Sequence, residues 1–346
     1  MLRPLTVLSA ALAIIAATIV GTPFLVSSVS AQTSADNEMI FFRVGTGGVN
    51  GTYYPVGALI GNAISSPPGS RPCDKGGSCG VPGLVAIAQS SHGSVDNVRR
   101  IQQGHLVSGF AQADVVHAAA TGTGVFDGNQ PMDKLRALAN LFPEALHLVV
   151  RKGAGISTAI DLKGRRVSLD EPGSGTLIAA KIVLAAHGLR EADVVAEYLK
   201  PGPAASKMRR GELDAFFIVA GAPAKAVTSL IHAGVAQLTQ ISGAPADKII
   251  GEHRFFWKTM IAKDTYDDLG SIETIAVGAQ WVVSADVPDD LVYAICKALW
   301  REETQALLAN GHPKARFITL DTALSGISIQ LHPGAERCYR ELGKLQ

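Results

Sequence analysis

Short apolar runs and helical patterns alternate along almost the whole chain. A sheet built from such units must be covered by helices on both faces. The first set reads as strand 39–45, helix 52–65, strand 84–88, helix 94–103, strand 107–111 and helix 113–120. Two apolar segments follow, 135–142 and, after Pro143, 145–150. A second set reads as strand 165–169, helix 175–187, strand 194–198, helix 203–210, strand 214–219, helix 222–233 and strand 235–241. The chain closes with a long strand-like run, 272–284, a helix from Asp286 to about Leu308, and a last helix after Pro333. Two α/β sets joined by extended segments predict two lobes of mainly parallel sheet with a ligand cleft between them. The division expected is 38–145 with 272–346 as lobe I and 146–271 as lobe II. Hinge strands are expected near 143–150 and 272–284.

In open α/β sheets the ligand lies beyond the carboxyl ends of the strands. Two glycine-rich turns fall at such ends. Val44-Gly-Thr-Gly-Gly-Val-Asn-Gly-Thr-Tyr-Tyr-Pro-Val-Gly57 runs from the first strand into a helix, and Asp170-Glu-Pro-Gly-Ser-Gly-Thr176 opens a helix in the second set. Free N–H groups and the helix dipole at such turns favour an anion. A dinucleotide is excluded, because Asn50 stands where G-x-G-x-x-G needs its third glycine, and no acid follows about 20 residues later. No P-loop is present. The turns suit something smaller, such as a carboxylate, held from both sides.

Charge excludes other partners. Residues 1–31 combine Arg3, an apolar run from Leu5 to Val20 and small residues at Val29 and Ala31, the pattern of a cleavable secretory signal peptide. Cleavage after Ala31 lowers the basic count from 31 to 30 against 30 acidic residues. A near-neutral chain gives no reason to expect nucleic acid or an anionic membrane surface. An oxidising compartment suits the four cysteines. Cys73 and Cys79, in a short glycine-bearing loop, read as a local disulfide. Cys296 and Cys338 lie in two C-terminal helices, and the residues leave open whether they pair or are buried free thiols.

The ordered series of motifs resembles the TAXI family of solute-binding proteins, the receptor subunits of TRAP transporters. It comprises Val44–Gly57, Ala88–Val98, Gly109–Asp114, Glu171–Thr176, Asp214–Pro223, Thr274–Gly278 and His332–Glu336. The resemblance runs from about Phe41 to Tyr339. It implies a two-lobed periplasmic-binding fold of the type II kind, which closes on a small carboxylate of the glutamate, glutamine, dicarboxylate or oxoacid class. It also implies a monomeric receptor in the periplasm that delivers its solute to TRAP membrane subunits. The Cys73–Cys79 loop resembles an insertion found in a subset of the family. Cys296 and Cys338 depart from the commoner Thr and Tyr, which favours a chain-specific disulfide.

Ligand contacts are expected from Gly48, Val49 and Thr52 at the first turn, and from Ser174, Gly175 and Thr176 at the second. Tyr53 and Tyr54 point about 100° apart on a helix, so one of them faces the cleft. Ser91 is divided between capping and contact. Gln112 ends a strand, where an amide suits a ligand better than a core. One of Phe216 and Phe217 lines the cleft, and Phe217 is selected. No metal-ligand spacing surrounds His92, His147 or His253, and no cofactor is expected. Catalysis is disfavoured: Ser174 lies in Pro-Gly-Ser-Gly and lacks the first glycine of G-x-S-x-G. The rival readings are a sensory binding protein that feeds a receptor kinase and, less favoured, a secreted hydrolase.

Overall fold

A computed structural model describes residues 39–267 and 269–346; the segment 1–31, read above as a signal peptide, lies outside them. In chain order the elements are β1 (Ile40–Gly45), α1 (Tyr53–Ile64), β2 (Ser65–Ser66), β3 (Val81–Pro82), β4 (Leu84–Gln89), α2 (Ser94–Gln102), β5 (Ser108–Gln112), α3 (Ala113–Thr121) and β6 (Leu135–Arg151). Next come β7 (Arg166–Ser168), α4 (Gly175–Ala186), β8 (Val195–Glu197), α5 (Pro201–Arg209), β9 (Ala215–Ala220), α6 (Lys225–His232), β10 (Ala236–Thr239), α7 (Gly243–Glu252) and β11 (Trp257–Ile261). The chain ends with β12 (Ile272–Ser284), α8 (Asp289–Leu299), α9 (Glu302–Gly311) and α10 (Pro333–Glu341).

The main sheet runs β4-β1-β5-β12-β6-β9-β7-β8, with β10 beside β6 and β11 beside β12. Both ends are parallel: β1 pairs with β4 and β5, and β7 pairs with β8 and β9. The two long strands in the middle, β6 and β12, run antiparallel to each other and to their neighbours. They carry the sheet from one α/β end to the other. β6 is one continuous strand, not the two segments expected either side of Pro143. Proline is tolerated there because Pro143 pairs only with Gly278 of β12, and the ladder to β9 starts at Ala145.

Each end of the sheet has a core on both faces. Around β4-β1-β5, one core packs α1, α8 and α10 and centres on Trp281, while the other packs α2 and α3. Around β9-β7-β8, one packs α4 and α7 and the other α5 and α6. This coverage corrects the assignment of Phe217. Alternation along β9 sends Phe217 into one core and Phe216 into the opposite one, and both are fully buried there. α7 and β11 occupy a stretch for which the sequence suggested no element. The helix expected over 286–308 is broken into α8 and α9 at Trp300–Arg301.

Both cysteine pairs are joined, Cys73 to Cys79 and Cys296 to Cys338. The second disulfide is fully buried and ties α8 to α10, so the C-terminal helices close as one unit over the core. Among the described residues no helix is long and apolar enough to cross a membrane.

Candidate functional site

The carboxyl ends of β1, β4, β5, β7 and β8 converge on one small cavity of about 60 Å³. Four helices begin at its wall: α1 after Thr52, α2 after Gly93, α4 after Ser174 and α5 after Lys200. Their first-turn N–H groups have no partner within the helix; α5 offers only that of Gly202, because Pro201 and Pro203 carry none. The helix dipoles add positive potential at the same point.

Of the residues predicted to touch a ligand, Gly48, Thr52, Tyr53, Gln112, Ser174, Gly175 and Thr176 line this cavity. Val49 does not; it is exposed on the outside of the turn. Tyr54 also lies off the wall, because the helical rotation that turns Tyr53 inward carries it away. Ser91 lies just behind the wall. Its hydroxyl donates to the Thr46 carbonyl at 2.9 Å and accepts from the Gly93 N–H at 3.0 Å, so it braces two loops. Phe217 is replaced on the wall by its neighbours Ile218 and Val219.

Several lining side chains are already engaged. Ser174 caps α4 by accepting from the Leu177 N–H at 3.1 Å, and Thr176 Oγ1 accepts from the Val219 N–H at 3.1 Å. Gln112 differs. Its backbone N–H donates to Ser94 Oγ, but its side-chain Oε1 is buried without a partner. A Cβ on Gly175 would collide with that amide, so glycine is what lets α4 approach Gln112.

The mouth is closed by bonds between the two ends of the sheet. The Thr52 hydroxyl donates to the Gly221 carbonyl at 2.7 Å, and the Asp96 N–H donates to the Gly173 carbonyl at 3.0 Å. His92 Nδ1 lies 2.8 Å from Glu171 Oε2, and Lys200 Nζ lies 3.3 Å from Glu171 Oε1. Lys200 also donates to the Ser91 carbonyl at 3.4 Å. Gly93 and Gly173 meet here with φ of +107° and +98°, backbone that a side chain would strain.

Sequence reasoning missed the charged groups of the site. Glu144, on β6, is buried and accepts a 2.6 Å hydrogen bond from the Tyr53 hydroxyl. Tyr53 is itself held edge-on by Phe110 and Phe142. Burial outweighs that bond and raises the Glu144 carboxyl to about 8. Asp170 is buried at the other side with φ of +72°, and burial raises it to about 7. Near neutrality Glu144 therefore holds its proton and can donate as well as accept. Lys200 supplies the cation that no motif had offered. Arg43, Arg99 and Arg151 all lie elsewhere: Arg43 binds the His105 carbonyl, Arg99 covers Phe126 and Arg151 pairs with Asp214. One signal was available, since Glu144 is the lone acid in the apolar stretch Leu141–Val150.

Among the described residues no histidine hydrogen-bonds to the Ser174 hydroxyl. The lining histidine, His92, is taken by Glu171, and His147 is buried with its Nε2 bonded to the Tyr266 hydroxyl at 2.9 Å.

Two α/β ends, a pair of crossing strands and a cavity at the strand carboxyl ends define the periplasmic-binding class of fold. A protein from Bordetella bronchiseptica RB50 has the same fold, at 17% identity and a TM-score of 0.51 over 88% of this chain and 89% of that one. The alkanesulfonate-binding protein SsuA of Xanthomonas axonopodis pv. citri, solved with MOPS, is 18% identical over 88% of this chain and 84% of its own, with a TM-score of 0.48. MatC of Rhodopseudomonas palustris, solved with malate, is 12% identical over 89% and 97%, also at 0.48. The model of the NMT1-like family matches residues 44–343, and the chain belongs to that family.

Proposed function

We propose that this chain is a periplasmic solute receptor that binds a small carboxylate of the glutamate, glutamine, dicarboxylate or oxoacid class and delivers it to the membrane subunits of a TRAP transporter. The observation that carries the reading is the convergence of four helix N-termini and Lys200 on one cavity. Such a site offers preorganised N–H donors to an anion, with one long-stemmed cation at the rim. Gln112 adds an unsatisfied buried amide oxygen, which a ligand hydroxyl, amino group or water would satisfy. The TRAP assignment rests on the TAXI-like motif series, and the periplasmic location rests on the signal-like segment 1–31 together with the disulfides.

The proposed lobes are 38–145 with 272–346, and 146–271. Closure would be a rotation about the two crossing strands, β6 and β12. The bonds at the mouth, Thr52 to Gly221, Asp96 to Gly173 and His92 to Glu171, are those that opening would break. Hydrolysis has no support in the geometry, because the Ser174 hydroxyl serves as a cap.

A thermal-shift screen of the protein without residues 1–31 against amino acids, oxoacids and dicarboxylates tests the reading. A true ligand at about 100 times its Kd adds about 2.7 kcal/mol of stability. If no small carboxylate moves the melting point, the carboxylate reading fails.

A further inference from the structure

A second and larger cavity, of about 470 Å³, lies on the crossing strands away from the helix N-termini. Its base is the stretch Asn140–Pro143 of β6 with Gly278 and Gln280 of β12. A β-bulge falls here, between Ala279 and Gln280, close to the Val277–Glu144 pair that reaches the first cavity. The walls are mostly apolar, and Phe255, Trp257 and Phe317 are the large side chains on them. Trp257 and Phe317 are both exposed, although they are large apolar side chains at one cavity mouth.

Polar groups at this cavity are few and directional. Gln280 is fully buried; its Nε2 donates to the Gly326 carbonyl at 2.8 Å, and its Oε1 has no partner. Arg254 lies at the mouth, stacked 4.9 Å over the Phe255 ring. Among the described residues it makes no ion pair, and its polar neighbour is the His117 ring at 3.1 Å. Among the described residues no carboxylate lines the cavity. An adjoining cavity of about 410 Å³ shares Pro143 and Phe317 and adds Lys314 and Arg316, again with no described carboxylate on its wall. This face therefore joins unfilled apolar volume to cations without carboxylate partners among the described residues.

We propose that the cavity over the crossing strands is a second ligand site, which takes an amphiphilic organic anion with its apolar body against Phe255, Trp257 and Phe317 and its acidic head on Arg254. The volume, about 470 Å³, lies within the range of small-molecule sites. A guanidinium without a carboxylate partner selects a carboxylate or sulfonate head over a cationic or neutral one. Because the occupant rests on the strands that join the two ends of the sheet, it biases their relative motion. By linkage, a solute in the first cavity then changes this site's affinity by the same factor as the reverse.

The test is calorimetric titration with hexanoate, octanoate and decanoate, using decyltrimethylammonium as the charge control. Binding should tighten about fourfold for each methylene added. Arg254→Gln should weaken decanoate roughly tenfold. Thr322 is an exposed residue on the cavity wall, and Thr322→Trp, which fills the cavity with an indole, should abolish binding. Decanoate should also change the tryptophan fluorescence, and that change should vanish in Trp257→Phe while calorimetric binding persists, which places the ligand at this cavity. Equal binding of the cationic amphiphile, or indifference to both Arg254→Gln and Thr322→Trp, overturns the proposal. So does a protein that binds none of the acids, whether it stays monomeric or dimerises through this face in sedimentation experiments.

Discussion

Replacing Glu144 with Gln should make the protein more stable at pH 8 and leave it nearly unchanged at pH 5. In the folded chain, burial raises the Glu144 carboxyl from an ordinary 4.5 to about 8. Once unfolded it ionises near 4.5. Between those values the folded state holds more protons than the unfolded one, so stability falls as pH rises through that window. The slope is about 1.4 kcal/mol per pH unit, and by pH 8 the cumulative loss is about 4 kcal/mol. A glutamine in this place cannot ionise, yet its amide oxygen can still accept from the Tyr53 hydroxyl. Glu144→Gln should therefore flatten this part of the pH profile and raise the melting temperature at pH 8 by about 8 °C, at roughly 2 °C per kcal/mol. Differential scanning calorimetry from pH 5 to pH 8.5 measures it. Parallel melting curves for the two proteins would refute the assignment of Glu144 as a buried acid that holds its proton.

Thr52→Val removes the hydroxyl that spans the mouth to Gly221. It should cost about 1 kcal/mol and broaden the scattering-derived size distribution of the unliganded protein. Gly175→Ala places a methyl group against the Gln112 amide; it should weaken solute binding at least tenfold in equilibrium dialysis while the protein still folds. Intact mass before and after reduction under denaturing conditions should differ by about 4 Da, the four hydrogens of two disulfides. Reduction of the buried Cys296–Cys338 bridge should require unfolding, whereas the half-buried Cys73–Cys79 bridge should reduce in the native protein.

The architecture was largely legible in the residues because its signals are local. Strand and helix periods, the glycine turns at 45–51 and 173–175, and the apolar run 272–284 each specify their own element. The misreadings came where a neighbour decides. Pro143 marks a break only if both sides of its strand are paired, and here one side is free until Ala145. Phe217 looked like a wall residue because a strand covered on both faces cannot be told from a half-exposed one by alternation. Val49 and Tyr54 sit beside lining residues in sequence, but the turn and the helix rotate them outward. The acids were the hardest to read. Nothing in the motif Asp170–Thr176 or the segment around Glu144 announces that two carboxyls will be buried around one cavity with Lys200 at its rim. That follows only from bringing β6, β7 and β8 together.

The most direct test of the central claim is a calorimetric titration of the strongest carboxylate from the screen into the wild type and into Gln112→Ala. The account predicts one solute per chain, with affinity at least tenfold weaker in the variant because a desolvated amide partner is lost at the cavity wall. Unchanged affinity in Gln112→Ala, with the variant folded, would contradict the placement of the solute between the helix N-termini.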